Sequence, residues 1–156
     1  MEYRTVSVED AVLLAELRVA MRKERESGTM PIPEEQFLQA NIDYFKEFIG
    51  NGTYYGLIAE EDGKVAAMGG ICFHNHPPSY EVPNGKSACL LNMYTLPDFR
   101  GRGIAGKIVA LLVDKAHFAG CHKVYLNASD MGKGVYLKFG FKEVSNEMVF
   151  DIKDNF

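Results

Sequence analysis

A loop rich in glycine and in cations, Arg-Gly-Arg-Gly-Ile-Ala-Gly-Lys at 100–107, joins an apolar strand-like run at 90–95 to a helix-like run at 108–118. Glycine lets a backbone approach a ligand closely. The unpaired N–H groups of a helix's first turn, together with the helix dipole, favour an anion there. The sequence therefore predicts a strand–loop–helix unit that binds phosphate.

The P-loop of nucleoside triphosphatases fits this loop only in part. Gly101 to Lys107 matches its G-x-x-x-x-G-K pattern. The next residue of a P-loop is a Ser or Thr that holds Mg²⁺, and here it is Ile108. The missing hydroxyl argues against an NTPase.

A dinucleotide-binding fingerprint, G-x-G-x-x-G, also matches at Gly101, Gly103 and Gly106. That fold needs its strand to run almost directly into the first glycine. Residues 96–100 intervene here, and Pro97 cannot continue a strand ladder. The short stretch of chain after the loop also leaves too little for a doubly wound sheet, so this pattern is disfavoured as well.

Length and composition indicate a single globular domain over 1–156, with 47% hydrophobic and 24% charged residues. A net charge of −4 disfavours nucleic acid as a partner. No apolar run is long enough for a membrane span, and the first residues do not resemble a signal peptide. We therefore expect a cytoplasmic protein without a membrane partner.

The three cysteines, Cys72, Cys89 and Cys121, are scattered through apolar segments. This distribution is typical of buried thiols in a reducing compartment. Cys and His spacings do not suggest zinc, and His74-Asn75-His76 lacks further ligands nearby. We therefore expect no metal.

Hydrophobic periodicity predicts an α/β fold in the order β-α-α-β-β-β-α-β-α-β. Ser7 and Asp10 resemble a capping box before the first helix, and Asp62-Gly63 is a hairpin turn. The crossover between residues 90 and 128 predicts one parallel pair of strands in a sheet that is otherwise antiparallel. The last strand is predicted over Phe141–Ile152, and its apolar side chains suggest a possible homodimer.

Two motifs together resemble the GNAT superfamily of acyl-CoA-dependent N-acyltransferases. Arg100-x-x-Gly103-x-Ala105 is similar to its Q/R-x-x-G-x-G/A signature, and 135–141, Val-Tyr-Leu-Lys-Phe-Gly-Phe, to its L-Y-x-K-x-G-F segment. The run 91–99 resembles that family's splayed central strand and the link to its loop. The resemblance covers nearly the whole chain and implies the GNAT fold.

The resemblance implies acetyl-CoA as cosubstrate, with its pyrophosphate on the loop amides and its pantetheine arm along the central strand. Ser129 stands where the family often has an asparagine that contacts the cofactor, and its hydroxyl is expected to hydrogen-bond in place of that amide. The implied cofactor-binding residues are Met93, Tyr94, Thr95, Arg100, Gly101, Arg102, Gly103, Ile104, Ala105, Gly106 and Ser129.

Tyr136 is the implied general acid, because a phenol with a pKa near 10 can protonate a leaving thiolate. The general base stays open, since the central strand carries Asn92 where family members often have a glutamate. The other candidates for the base are Glu34, Glu35, His74 and His76.

We therefore expect an N-acetyltransferase that moves the acetyl group of acetyl-CoA directly to a primary amine of a small molecule or peptide. The alternative is a GNAT-fold protein that binds acyl-CoA as a sensor or interaction module without turnover.

Overall fold

The computed structural model describes residues 1–144 and 146–152. Its strands are β1 (Glu2–Thr5), β2 (Tyr54–Glu61), β3 (Lys64–Asn75), β4 (Lys86–Thr95) and β5 (Lys123–Tyr125), and its helices are α1 (Ala11–Arg25), α2 (Glu34–Gly50), α3 (Ile104–Phe118) and α4 (Lys133–Phe139).

The strands form one sheet in the order β1-β2-β3-β4-β5. Only the β4–β5 pair is parallel, and the other three pairs are antiparallel. The α/β class and the mixed sheet with one parallel pair are therefore confirmed.

Local signals explain several of the boundaries. Ser7 and Asp10 form the expected capping box, in which the Ser7 N–H donates to Asp10 Oδ2 at 2.8 Å, and it opens a short 3-10 turn before α1. Asp62 and Gly63 both have positive φ, at 51° and 74°, as the tight turn between β2 and β3 requires.

The sheet separates two apolar clusters. Phe45, Leu14 and Ile58 belong to the cluster under α1 and α2, whereas Ile108 and Leu112 bring α3 against the other face. A crossover helix packed on the opposite face from α1 and α2 gives the three-layer arrangement that covers both sides of the sheet.

The last part of the predicted order is wrong. Within 141–144 and 146–152 no residue is assigned to a strand, and β5 has only three residues instead of the run 121–128. The consecutive apolar residues Met148, Val149 and Phe150 of the predicted strand are 95%, 77% and 82% exposed. A strand needs a hydrogen-bonding neighbour, and the described segment pairs with none.

Candidate active site

A β-bulge in β4 opens the edge of the sheet. Gly70 pairs with Leu91 and Met68 with Tyr94, so Gly69 alone lies opposite two residues of β4. One of the two, Asn92, has φ 56°, a left-handed conformation that asparagine tolerates better than most residues. Since β5 pairs only with residues 87–89, the outer edge of β4 after the bulge is left without a neighbouring strand.

Buried polar contacts hold the bulge in place. Asn92 is 5% exposed, its Oδ1 accepts from Arg18 Nη1, and its Nδ2 donates to the Tyr54 hydroxyl at 3.3 Å. The Tyr54 hydroxyl reaches this point across Gly70, where a Cβ would lie 2.1 Å from it. Glycine at position 70 is therefore a steric requirement of the network.

The carbonyls on the open edge of β4 are held by arginines. Leu96 N–H donates to Ala66 of β3 at 2.9 Å, so the strand alternation turns the polar backbone groups of Met93 and Thr95 away from β3. Met93 O accepts from Arg25 Nη2 at 3.2 Å, and Thr95 O accepts from Arg100 Nε at 2.9 Å. An edge of this kind can accept an extended ligand as an added strand.

The glycine loop presents free amides at the start of α3. Gly101 and Gly103 have φ of 73° and 77°, and a Cβ at either would meet nothing within 4 Å. The first turn of α3 closes with a bond from the Lys107 N–H to Gly103 O at 3.1 Å. The amides of 104–106 therefore precede the first repeating helix bond and face the open side of the loop.

A cavity of about 630 Å³ joins this loop to the open edge of β4 and to α4. It brings together ten of the predicted cofactor-binding residues and Tyr136; those ten are Met93, Tyr94, Thr95, Arg100, Gly101, Gly103, Ile104, Ala105, Gly106 and Ser129. A cavity of about 700 Å³ beside β5 contains none of the predicted site residues.

Arg102 is not among the residues that line the 630 Å³ cavity. Its Nη2 donates to Glu61 Oε1 at 2.7 Å, and its guanidinium lies 5.5 Å from the ring centre of Phe99. Arg100 does line the cavity, with its Nη2 bonded to Glu24 Oε2 at 2.6 Å. Of the two arginines that the sequence predicts to bind the cofactor, Arg100 therefore lines the cavity and Arg102 does not.

Tyr136 is 9% exposed and lies edge-on to Phe141, with ring centres 5.9 Å apart. Burial raises the pKa of its phenol, and the nearby Arg25 guanidinium opposes that rise. Within the described chain no hydrogen bond holds the Tyr136 hydroxyl. The phenol is therefore protonated at neutral pH and has no fixed partner.

Ser129 already accepts hydrogen bonds from backbone N–H groups at the start of α4. Its Oγ accepts from the Gly132 N–H at 3.2 Å, and its carbonyl accepts from the Lys133 N–H at 3.0 Å. The hydroxyl proton stays available to a ligand. A Cβ on Gly132 would lie 3.2 Å from Ser129 Oγ and 3.4 Å from the Tyr136 ring, so a glycine here leaves room for both side chains.

Sequence reasoning missed Glu24 and Arg25, which line the cavity from the end of α1. Their contacts, Glu24 with Arg100 and Arg25 with Met93, join positions about seventy residues apart. No local pattern signals such contacts. The four candidate bases, Glu34, Glu35, His74 and His76, do not line this cavity.

The sequence profile of the Acetyltransferase (GNAT) family matches residues 19–141. The chain belongs to this family. The match spans the second half of α1, the bulged strand, the glycine loop and Tyr136, and it confirms the family that the two motifs indicate.

Among solved structures, a predicted acetyltransferase with acetyl-CoA from Clostridium acetobutylicum is 30% identical, with a TM-score of 0.84 and coverage of 96% of this chain and 95% of that chain. A GCN5-related N-acetyltransferase from Ralstonia eutropha JMP134 is 26% identical, with a TM-score of 0.86 and 97% coverage of both. Glucosamine 6-phosphate N-acetyltransferase 1 from Oryza sativa subsp. japonica is 28% identical over 125 residues, which are 78% of this chain and 72% of that protein.

This GNAT protein is an acyl-CoA-dependent acetyltransferase that uses acetyl-CoA. Within the described residues, no group of three or more His, Cys, Asp or Glu side chains is placed to hold a metal ion. The helices in the same part of the chain are too short or too polar to cross a membrane.

Proposed function

We propose that this GNAT protein transfers the acetyl group of acetyl-CoA directly to a primary amine of a small molecule or peptide. The observation that carries the proposal is the single cavity that joins the glycine loop, the open edge of β4 and the Tyr136 phenol. These three features are what a phosphate, an extended amide-containing arm and a leaving thiolate respectively require.

The residues around the cavity fit acetyl-CoA. The free amides of 104–106 and the side chain of Arg100 would hold the pyrophosphate, since N–H groups at a helix N-terminus suit phosphate oxygens. The outward backbone groups of Met93 and Thr95 would pair with the pantetheine amides, which requires Arg25 to leave Met93 O and Arg100 to leave Thr95 O. When bound, the cosubstrate supplies an activated acetyl group as a thioester.

Tyr136 would protonate the departing thiolate. Because burial raises the pKa of Tyr136 above its ordinary value, the phenol keeps its proton at neutral pH and can donate it to the leaving sulfur. The neighbouring Arg25 charge would stabilise the negative charge that forms there. Different groups would therefore carry the two roles: Tyr136 donates the proton, and the loop amides with Arg100 hold the phosphates.

The proton lost by the amine would pass to water. Glu24 is the only carboxylate among the described residues that line the cavity, and it is bonded to Arg100. Because its Oε2 accepts from Arg100 Nη2, this carboxylate is already engaged and is not placed to take the proton of the amine. An amine with a pKa near 10.4 would thus react from its neutral fraction, and turnover would rise with pH towards that value.

Release of free thiol from acetyl-CoA, measured over a panel of amines, tests the proposal. Tyr136→Phe would lower kcat at least about tenfold, because it removes only the acid, while acetyl-CoA affinity stays unchanged. Tyr80→Phe is the matched control, since Tyr80 is fully exposed and its loss would leave both quantities as they are.

Two outcomes contradict the proposal. Full turnover by Tyr136→Phe would remove Tyr136 from the mechanism. Tight acetyl-CoA binding with no thiol release for any amine would favour the alternative, a sensor or interaction module.

We further propose that residues 1–156 act as one domain in the cytoplasm. The three cysteines, Cys72, Cys89 and Cys121, are all free thiols, which suits a reducing compartment. A homodimer is expected to involve the exposed apolar side chains near the end of the chain, such as Met148 and Phe150. Sedimentation of the wild type and of a Phe150→Ser variant would test that assembly.

A further inference from the structure

Among the residues that the structure describes, Arg18 is a half-buried cation without an acidic partner. In the described chain its only hydrogen bond runs from Nη1 to Asn92 Oδ1. By contrast, four other arginines each pair with a carboxylate: Arg4, Arg22, Arg100 and Arg102. A guanidinium carries five N–H donors in a planar fork, so most of the donors of Arg18 have no hydrogen-bond partner among the described residues.

The surroundings of Arg18 are positive and poorly hydrated. Burial, and then the like charge of Arg22, lowers the pKa of Arg18, and Arg25 acts in the same direction. The phenols of Tyr44 and Tyr54 act in the opposite direction. Removing a cation from water without a counter-ion is costly, and an anion that arrives at this point would recover that cost.

Arg18 also lies close to the proposed acetyl-transfer point. Its partner Asn92 directly precedes Met93, whose carbonyl is on the edge of β4 that lines the cavity. Arg25, two turns further along α1, lines the same cavity. The backbone positions of Arg18 and Arg25 are seven residues, or about 10 Å, apart along the helix. A small molecule with an amine at one end and an anion at the other can bridge a distance of this size.

We propose that the acceptor is a primary amine that also carries an anionic group, a carboxylate or a phosphate, which docks in the fork of Arg18. The inference rests on the proposed N-acetyl transfer and names the substrate class of the same site. Planar bidentate pairing is the geometry in which arginine binds both kinds of anion. Docking there would leave the amine end to point past Asn92 towards Met93 and Tyr136.

Matched pairs of amines test the inference. One arm compares glucosamine 6-phosphate with glucosamine, and the other compares amino acids with their amides, so the arms separate phosphate from carboxylate. Each pair is assayed by thiol release with the wild type, with Arg18→Met and with Arg18→Lys. Lys23→Met is the control, because Lys23 is a cation on the same helix that pairs with Glu34.

The readout is the ratio of kcat/KM for the anionic member to that for the neutral member. We expect wild type and Lys23→Met to favour the anionic member in at least one arm. Arg18→Met would lower the ratio by about thirtyfold or more, since hydrogen bonds to charged groups are worth about 2 kcal/mol. Arg18→Lys would recover part of it, because it keeps the charge but loses the fork.

A ratio near one in the wild type, or an unchanged ratio in Arg18→Met, would overturn the inference and leave the proposed transfer intact. A purely structural role of Arg18 would lower both members of a pair equally, and acetyl-CoA affinity with them. Thiol release from neither member of any pair, with acetyl-CoA still bound, would instead refute the proposed function and with it this inference.

Discussion

The bulge at Asn92 gives a quantitative test of how β4 is opened. We compare Asn92→Gly with Asn92→Ala. Both variants lose the bonds to Arg18 and to the Tyr54 hydroxyl, but only alanine must adopt a left-handed conformation with a Cβ, since Asn92 has φ 56°.

The expected magnitudes follow from these contacts. A neutral hydrogen bond contributes about 1 kcal/mol and one to a charged group about 2 kcal/mol, so Asn92→Gly would lower the free energy of unfolding by about 3 kcal/mol. The left-handed conformation costs a residue with a Cβ a further 1 kcal/mol or so. Asn92→Ala would therefore be the less stable variant, with a loss of about 4 kcal/mol.

Urea denaturation measures both losses, with Asn127→Ala as control. Asn127 is exposed and makes no side-chain hydrogen bond among the described residues, so its change would stay within about 0.5 kcal/mol. An Asn92→Ala protein as stable as Asn92→Gly would refute the argument from backbone strain. Wild-type stability in both would refute the argument from the buried network.

Three further predictions concern the supports of the site. Gly70→Ala would lower the free energy of unfolding by about 1–3 kcal/mol through overpacking, because the rigid ring of buried Tyr54 occupies the space of the new methyl group; thermal denaturation measures this. Arg4 lowers the pKa of Asp10, so the stability that this pair contributes is present above the unfolded value near 3.9 and is lost as the pH falls through the lower folded value. Asp10→Asn would therefore destabilise the protein less at pH 2 than at pH 7, in urea titrations at both pH values. Gly103→Ala would weaken acetyl-CoA binding measured by calorimetry, since φ of 77° strains any residue with a Cβ and the loop amides would shift.

Much of the fold could be predicted because its signals are local. The Asp62-Gly63 turn, the capping box at Ser7 and the glycine loop each depend on a few consecutive residues, and the structure has all three. The bulge has a weaker signal, a single asparagine in the apolar run 90–95, and its geometry depends on Arg18 and Tyr54, which are distant in sequence. The strand predicted for 141–152 is an overprediction, because a segment rich in apolar residues does not form a strand without a hydrogen-bonding neighbour.

The phosphate end and the acceptor end of the site also differ in how well the sequence predicts them. The phosphate end consists of backbone amides in one continuous loop, so its chemistry can be recognised from eight consecutive letters of the sequence. The acceptor end depends on Arg18 and Asn92, which are 74 positions apart, and on the lack of a carboxylate beside Arg18 within the described chain. A missing counter-ion leaves no trace in a sequence that contains 21 acidic residues, since any of them might have provided it. Only the folded chain shows that, among the residues described, no carboxylate pairs with Arg18. For this reason we expect the protein to select an anionic amine, although its net negative charge by itself would attract cations.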